Sequence, residues 1–259
     1  SALSHLALVK LQGLSQQKLS QEELVAQATQ LIDEARSNAE IAIKLDPTNF
    51  ENYFQYGNVF DIFASLGIKN ASSFARDNYE QALRLNPKSH RILFMLANVE
   101  FVASEREKAK EYLRKALLER PNFLEALSFL VQLELQDKNL ATAVTAVETA
   151  VVAEPTSHLL RFALGYLYYL KNDQANAGSQ FEAAVALNPS YADAKYFLGL
   201  TYANTGHTAN AIQQFEGVQA LNPDNKEVAA IITNLKAGNP PLTGLSGPST
   251  QEVPQVIKK

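Results

Sequence analysis

The chain has no cysteine, no tryptophan and a single methionine, Met95. Without cysteine there is no disulfide, no thiolate metal ligand and no cysteine nucleophile, although the absence selects no compartment. Charge is sparse as well. Asp, Glu, Lys and Arg make up 19% of the residues and the net charge is −4, which argues against broad attraction to nucleic acid or to anionic lipid. No apolar run reaches the roughly 20 residues that a membrane span needs, so no membrane insertion by this chain is expected. HExxH, a glycine-rich phosphate loop and GxSxG are all missing. The four histidines, His5, His90, His158 and His207, are scattered, and carboxylates such as Glu105 and Glu107 fall in charged helix ends. No enzyme activity, cofactor or metal site is therefore expected. The sequence opens at Ser1 without Met or a signal peptide, as expected of a processed or partial chain.

What is there is a repeat. Residues 191–223, YADAKYFLGLTYANTGHTANAIQQFEGVQALNP, read as two short helices joined by a tight turn near Gly206. Leu198, Gly199 and Tyr202 share a face of the first helix; Ala211, Phe215 and Val218 recur at helical spacing in the second; Pro223 stops it. Prolines stand at 47, 87, 121, 155, 189 and 223, so the last four intervals are 34 residues each and the first is 40. Ahead of each proline a small residue recurs (Ala75, Ala109, Ala143, Ala177, Ala211). Four positions later comes a bulky one (Tyr79, Leu113, Val147, Phe181, Phe215). One such unit cannot cover its own apolar faces, so the units must stack.

This pattern resembles the tetratricopeptide repeat (TPR) family over about 50–223, without the family's tryptophan and with glycine at the helix contact only in Gly57, Gly165 and Gly199. The resemblance implies an all-α fold, a right-handed superhelix of helix–turn–helix units. The long helix before Leu45-Asp46-Pro47, the Leu66-Gly67-Ile68 stretch and the ending 234–238 are also similar to the TPR regions of some bacterial O-antigen-ligase-like membrane proteins. That similarity implies a location outside the cytoplasmic membrane, extracellular or periplasmic; none of the ligase's membrane helices is in the chain, so its transferase activity is not implied.

In chain order, residues 1–47 read as a degenerate first repeat, with a capping box at Ser20 and Glu23 opening a helix that runs to Leu45. Its inner stripe is Leu24, Ala28, Leu31, Ala35, Ala39 and Ala42. Five units follow over 48–223, the first carrying six extra residues expected between its helices around 65–73. Asn70-Ala71-Ser72 there is a glycosylation sequon by pattern. A capping helix is expected over 224–238, with Val228, Ile231, Ile232 and Leu235 turned inward. The Pro/Ser/Thr-rich tail, 239–259, spaces the apolar anchors Leu242, Leu245, Val253, Val256 and Ile257.

In the family, the first helix of each unit (helix A) lines a groove through its second, fifth, ninth, twelfth and thirteenth positions. Carried onto this sequence, that implies a groove of Phe54, Asn58, Phe94, Asn98 and Phe101, then Phe162, Tyr166, Tyr169, Tyr196 and Leu200. Phe54 and Phe94 replace the lysine with which some members hold a peptide carboxylate, so that clamp is not expected. Aromatic lining suits an extended, partly apolar segment; the alternative is that these rings pack against neighbouring A helices. Two functions follow. The chain self-associates, end to end or through its tail, into an oligomer or filament; or it is a monomeric scaffold that binds an extended peptide of another protein.

Overall fold

The computed structural model describes residues 21–65 and 70–245, all helix and turn. These residues fall into two units, one running to Arg120 and one starting at Pro121. The first holds α1 (Gln21–Leu45), α2 (Phe50–Ser65), α3 (Ala71–Leu85), α4 (His90–Val102) and α5 (Arg106–Glu119). The second holds α6 (Leu124–Gln136), α7 (Leu140–Ala153), α8 (His158–Leu170), α9 (Gln174–Leu187), α10 (Ala192–Asn204), α11 (Thr208–Leu221) and α12 (Lys226–Lys236).

Every B helix from α3 to α11 ends two residues before a proline, as the missing N–H of proline requires. The A helices start three residues after it, at α4 and α8 with a serine cap: Ser89 Oγ accepts from the Ile92 N–H, and Ser157 Oγ from the Leu160 N–H. Between A and B the chain turns through one left-handed residue. It is Asn70, Ser104, Lys138, Asn172 or Gly206, always 17 residues ahead of the proline. After the last four, the next N–H bonds back to the carbonyl five residues earlier, as Asp173 does to Tyr168 at 2.9 Å, closing the end of the A helix.

The small and bulky positions meet where A crosses B. A Cβ added to Gly57 would lie 2.5 Å from the Tyr79 ring, one on Gly165 2.7 Å from Phe181, and one on Gly199 2.8 Å from Phe215. At the same register Ala97 goes with Leu113, and Val131 with Val147, all fully buried. Partner volumes compensate, as close packing demands. Beside the Val–Val pairing lies a small apolar cavity lined by Leu124, Leu127, Ser128, Val131, Val147, Leu160 and Ala163.

Four of the six extra residues of the first full unit lie within its helices. Helix α2 has 16 residues where the other A helices of full units have 13, and α3 has 15 where the B helices after it have 14. The interval between them, 66–70, is two longer than the three-residue turns elsewhere. The added turn of α2 persists because Val59 and Phe63 bury against Ala35 of the 25-residue α1. Of the stripe expected on α1, Ala35 and Ala39 are buried and Leu31 and Ala42 half-buried; the side chains of Leu24 and Ala28 lie outside the described residues. Val228, Ile231, Ile232 and Leu235 of α12 are all buried against α11 and α10 residues such as Phe215 and Leu200.

Candidate functional site

In the first unit, the groove positions are mostly engaged internally. Phe54 is buried, its ring 5.8 Å from Tyr79 and under the Arg91 guanidinium at 5.1 Å. Asn58 accepts from the Tyr79 hydroxyl at 2.8 Å, and Asn98 donates to the Phe94 carbonyl of its own helix at 3.0 Å. Phe94 is half-buried and Phe101 exposed. Asn70, the sequon residue, is exposed at the start of α3 and makes no side-chain cap.

In the second unit, the structure corrects the groove. Phe162 is 0% exposed, Tyr166 2% and Leu200 1%, so these three, like Phe54, are core side chains rather than a docking strip. The cause is Phe197, which the sequence reading passed over. Its ring lies 5.9 Å from Phe162, 5.2 Å from Tyr166, 5.5 Å from Tyr169 and 5.6 Å from Tyr196, covering the first two from the next A helix. The only sequence signal was an aromatic one place beyond a groove position.

Tyr169 and Tyr196 stay at the surface with polar tips. Tyr169 pairs with the Asn204 side chain, and the Tyr196 hydroxyl donates to Glu227 Oε1 at 2.7 Å. Burial pushes both phenols up, and the Glu227 carboxylate pushes Tyr196 further, so both are neutral hydroxyls at physiological pH. Glu125, Asp193 and Glu227, each second in its A helix, add an exposed row of carboxylates. Nearby, the Tyr191 hydroxyl is buried without a hydrogen-bond partner.

The described part of the tail, 239–245, stays on the last helix. Leu242 and Leu245, expected to dock on a neighbouring copy, pack against the cluster formed by α10, α11 and α12 of their own chain. Asn234 holds them there. Its Nδ2 donates to the Pro241 carbonyl at 3.1 Å and to the Thr243 carbonyl at 2.9 Å, and its own carbonyl accepts from the Asn239 N–H. Val253, Val256 and Ile257 lie outside the described residues.

Aromatic faces, side-chain amides and carboxylates thus stand on the A helices α8, α10 and α12. Among the described residues no three His, Asp or Glu side chains gather as metal ligands, and no helix is long and apolar enough to cross a membrane. Family models described as tetratricopeptide repeat match residues 75–122, 94–158 and 171–235, together more than half of the 259 residues. The chain belongs to the tetratricopeptide repeat family. It is a TPR protein–protein interaction module. The matched TPR models describe the repeat alone and add nothing to the ligase-like resemblance. No curated protein matches the sequence. Among solved structures the TPR fold recurs in YrrB, "a TPR protein with an unusual peptide-binding site", at 22% identity and TM-score 0.55, over 74% of this chain and 95% of that one. MamA matches at 19% identity and TM-score 0.50, over 63% and 94%.

Proposed function

We propose that this TPR module binds an extended peptide of another protein along the A-helix face of its second unit. The observation that carries the reading is the strip of Tyr169, Asn204, Tyr196 and Glu227, in which partly exposed rings end in hydroxyl, amide and carboxylate groups. Rings of this kind give contact area at low entropic cost, and the polar tips meet the backbone groups of an extended segment. The likeness to YrrB, whose description names a peptide-binding site, agrees with it. Peptides selected from a random library on the immobilised protein test it: their binding is lost with Tyr169→Ser plus Tyr196→Ser, and retained with Phe101→Ser. Selected peptides indifferent to the two tyrosines overturn the reading.

Self-association is the second reading. It is favoured by large apolar side chains standing in solvent near B-helix ends, Leu118 at 80% and Val152 at 82% exposure. Sedimentation velocity over a hundredfold concentration range reads it directly, with a growing coefficient expected if copies join. An extracytoplasmic location belongs with these proposals, and the intact mass of the protein from its source tests it at Asn70.

A further inference from the structure

Charge is sorted by face in the second unit. Its described residues, 121–245, carry eleven Asp and Glu side chains against six Lys and Arg. The six cations stand off the groove register. Arg161 Nη1 donates to Gln180 Oε1 on α9 at 3.0 Å, and Lys236 Nζ meets Glu216 Oε1 on α11 at 3.0 Å. Lys195 lies over Gly217 of α11, its Nζ 3.3 Å from where a Cβ would stand. Lys138 and Lys171 sit at A–B turns, and Lys226 is the first residue of α12. The second place of the A helices holds Glu125 in α6, Leu159 in α8, Asp193 in α10 and Glu227 in α12, the three carboxylates exposed. Among the described residues neither Glu125 nor Asp193 is ion-paired. Glu227 accepts from the neutral Tyr196 hydroxyl, which leaves its charge in place. Partial burial raises the Asp193 carboxyl, with no cation beside it to offset the cost.

Resting on the peptide-binding reading above, we propose that the partner of this face is a basic segment of another protein, whose lysine or arginine side chains pair with Glu227, Asp193 and Glu125 beside the tyrosine rings. Asp193 stands one turn before Tyr196 on α10, and Tyr196 bonds Glu227 of α12, so an aromatic face and two carboxylates adjoin. A long basic side chain uses both parts of such a place. Its apolar stem covers the ring and its cation meets the carboxylate and the ring face. An acidic segment is repelled there, as are nucleic acid and anionic lipid, so the charge selects the partner as well as steering it. The spacing of the acids sets a pattern. Neighbouring A helices lie about 10 Å apart, and an extended chain covers about 10 Å in three residues. Cations three residues apart therefore reach Glu227 and Asp193. Glu125 is two A helices beyond Asp193, which calls for a third cation about six residues further along.

The test uses the full chain and the random peptide library. Peptides whose binding needs Tyr169 and Tyr196 are sequenced after selection on the unchanged protein and on a variant carrying Glu125→Gln and Asp193→Asn. On the unchanged protein Lys and Arg are expected at about twice their frequency in the unselected library or more, with a spacing of three favoured, because each exposed pair adds a modest preference. On the variant that excess is expected to shrink, and on Asp193→Lys to give way to Asp and Glu. A selected peptide remade with Gln for its Lys and Arg is expected to bind the unchanged protein about tenfold more weakly by calorimetry at low salt, and the gap to close as salt is added. Circular dichroism confirms that the variants, altered only at exposed side chains, keep their helices. Tyrosine-dependent peptides without a basic excess, or with one that persists unchanged in the Glu125→Gln and Asp193→Asn variant, overturn the proposal while the peptide-binding function stands. If no selected peptide depends on the two tyrosines, both fall.

Discussion

The phenol of Tyr202 in α10 donates to the carboxylate of Glu182 in α9 at 2.8 Å, joining an A helix to the B helix before it. The same link repeats along the chain. Tyr168 donates to Glu148, and Lys236 meets Glu216 at 3.0 Å, each pair separated by 20 residues with the acid seven places before a proline. In the first unit Tyr56 donates to Glu40 at 2.7 Å, one helical turn earlier on α2. Adjacent repeats are thus pinned by a charge-assisted bond at their edge in addition to their apolar contact.

These bonds make stability sensitive to alkali. The Glu148 hydrogen bond first, then burial, raises Tyr168 to about 12, while burial first, then Glu40, raises Tyr56 to about 12. A phenol whose pKa is higher folded than unfolded contributes stability that is complete below its unfolded value, near 10, and lost as pH rises from there towards 12. Urea midpoints are expected to be flat on this account from pH 8 to 9.5 and to fall above pH 10. Tyr168→Phe makes the alkaline fall shallower, and an unchanged slope in that variant counts against the assignment.

The volume pairing at the helix crossing predicts a rescue. Gly165→Ala forces a methyl group to 2.7 Å from the Phe181 ring and costs about 1–3 kcal/mol. Phe181→Leu alone leaves a cavity and is also destabilising. Together they reproduce the Ala97 and Leu113 pairing that the chain already uses, so the double variant is more stable than the sum of the singles. Additive losses in urea denaturation would mean that the two sites do not share the space.

The left-handed turn residues predict gains. Ser104 and Lys138 sit at φ 64° and 61°, a region that costs a residue with a Cβ about 1–2 kcal/mol. Glycine relieves that cost but adds freedom to the unfolded chain. Lys138→Gly is expected to stabilise by a net amount of about 0.5–1 kcal/mol, and Gly206→Ala to destabilise by a similar one. Thermal melts of the two variants moving in the same direction would contradict this.

How much of this could be read from residues depends on which physical quantity the residues encode. The proline phase carries the helix ends, because a proline terminates a helix whatever surrounds it; each B helix from α3 to α11 stops two residues short of one. The inward stripe of α12 was legible for the same local reason, as Val228, Ile231, Ile232 and Leu235 recur at helical spacing. Depth was not. Periodicity tells which face Phe162 and Tyr166 occupy, but whether that face is open depends on Phe197, 31 residues beyond Tyr166 and in another repeat. Nor was the extended α2, because its extra turn is held by Ala35 of a helix outside the regular pattern. Tail composition announces anchors without naming their surface; the Asn234 amide selects it for Leu242 and Leu245.

The boundary between core and strip gives the last prediction. Phe162 and Tyr166 are enclosed, with Phe181 5.7 Å from Phe162 and Phe197 5.2 Å from Tyr166. Tyr196 lies against Phe215 at 5.6 Å with its hydroxyl on Glu227, and keeps part of its ring in solvent. Tyr166→Ser removes a fully packed ring and leaves a hydroxyl in its place, a loss of about 3–5 kcal/mol. Tyr196→Ser removes a partly exposed ring and one exposed hydrogen bond, which costs about 1–2 kcal/mol. Circular dichroism at 25 °C should therefore show native helicity for Tyr196→Ser, with a melting temperature well above that of Tyr166→Ser. Peptide affinity divides the two differently: per folded molecule it falls for Tyr196→Ser and is nearly unchanged for Tyr166→Ser at temperatures where that variant is still folded. If both variants lost stability equally, Tyr196 would be a core residue too, and no docking strip would remain on this face.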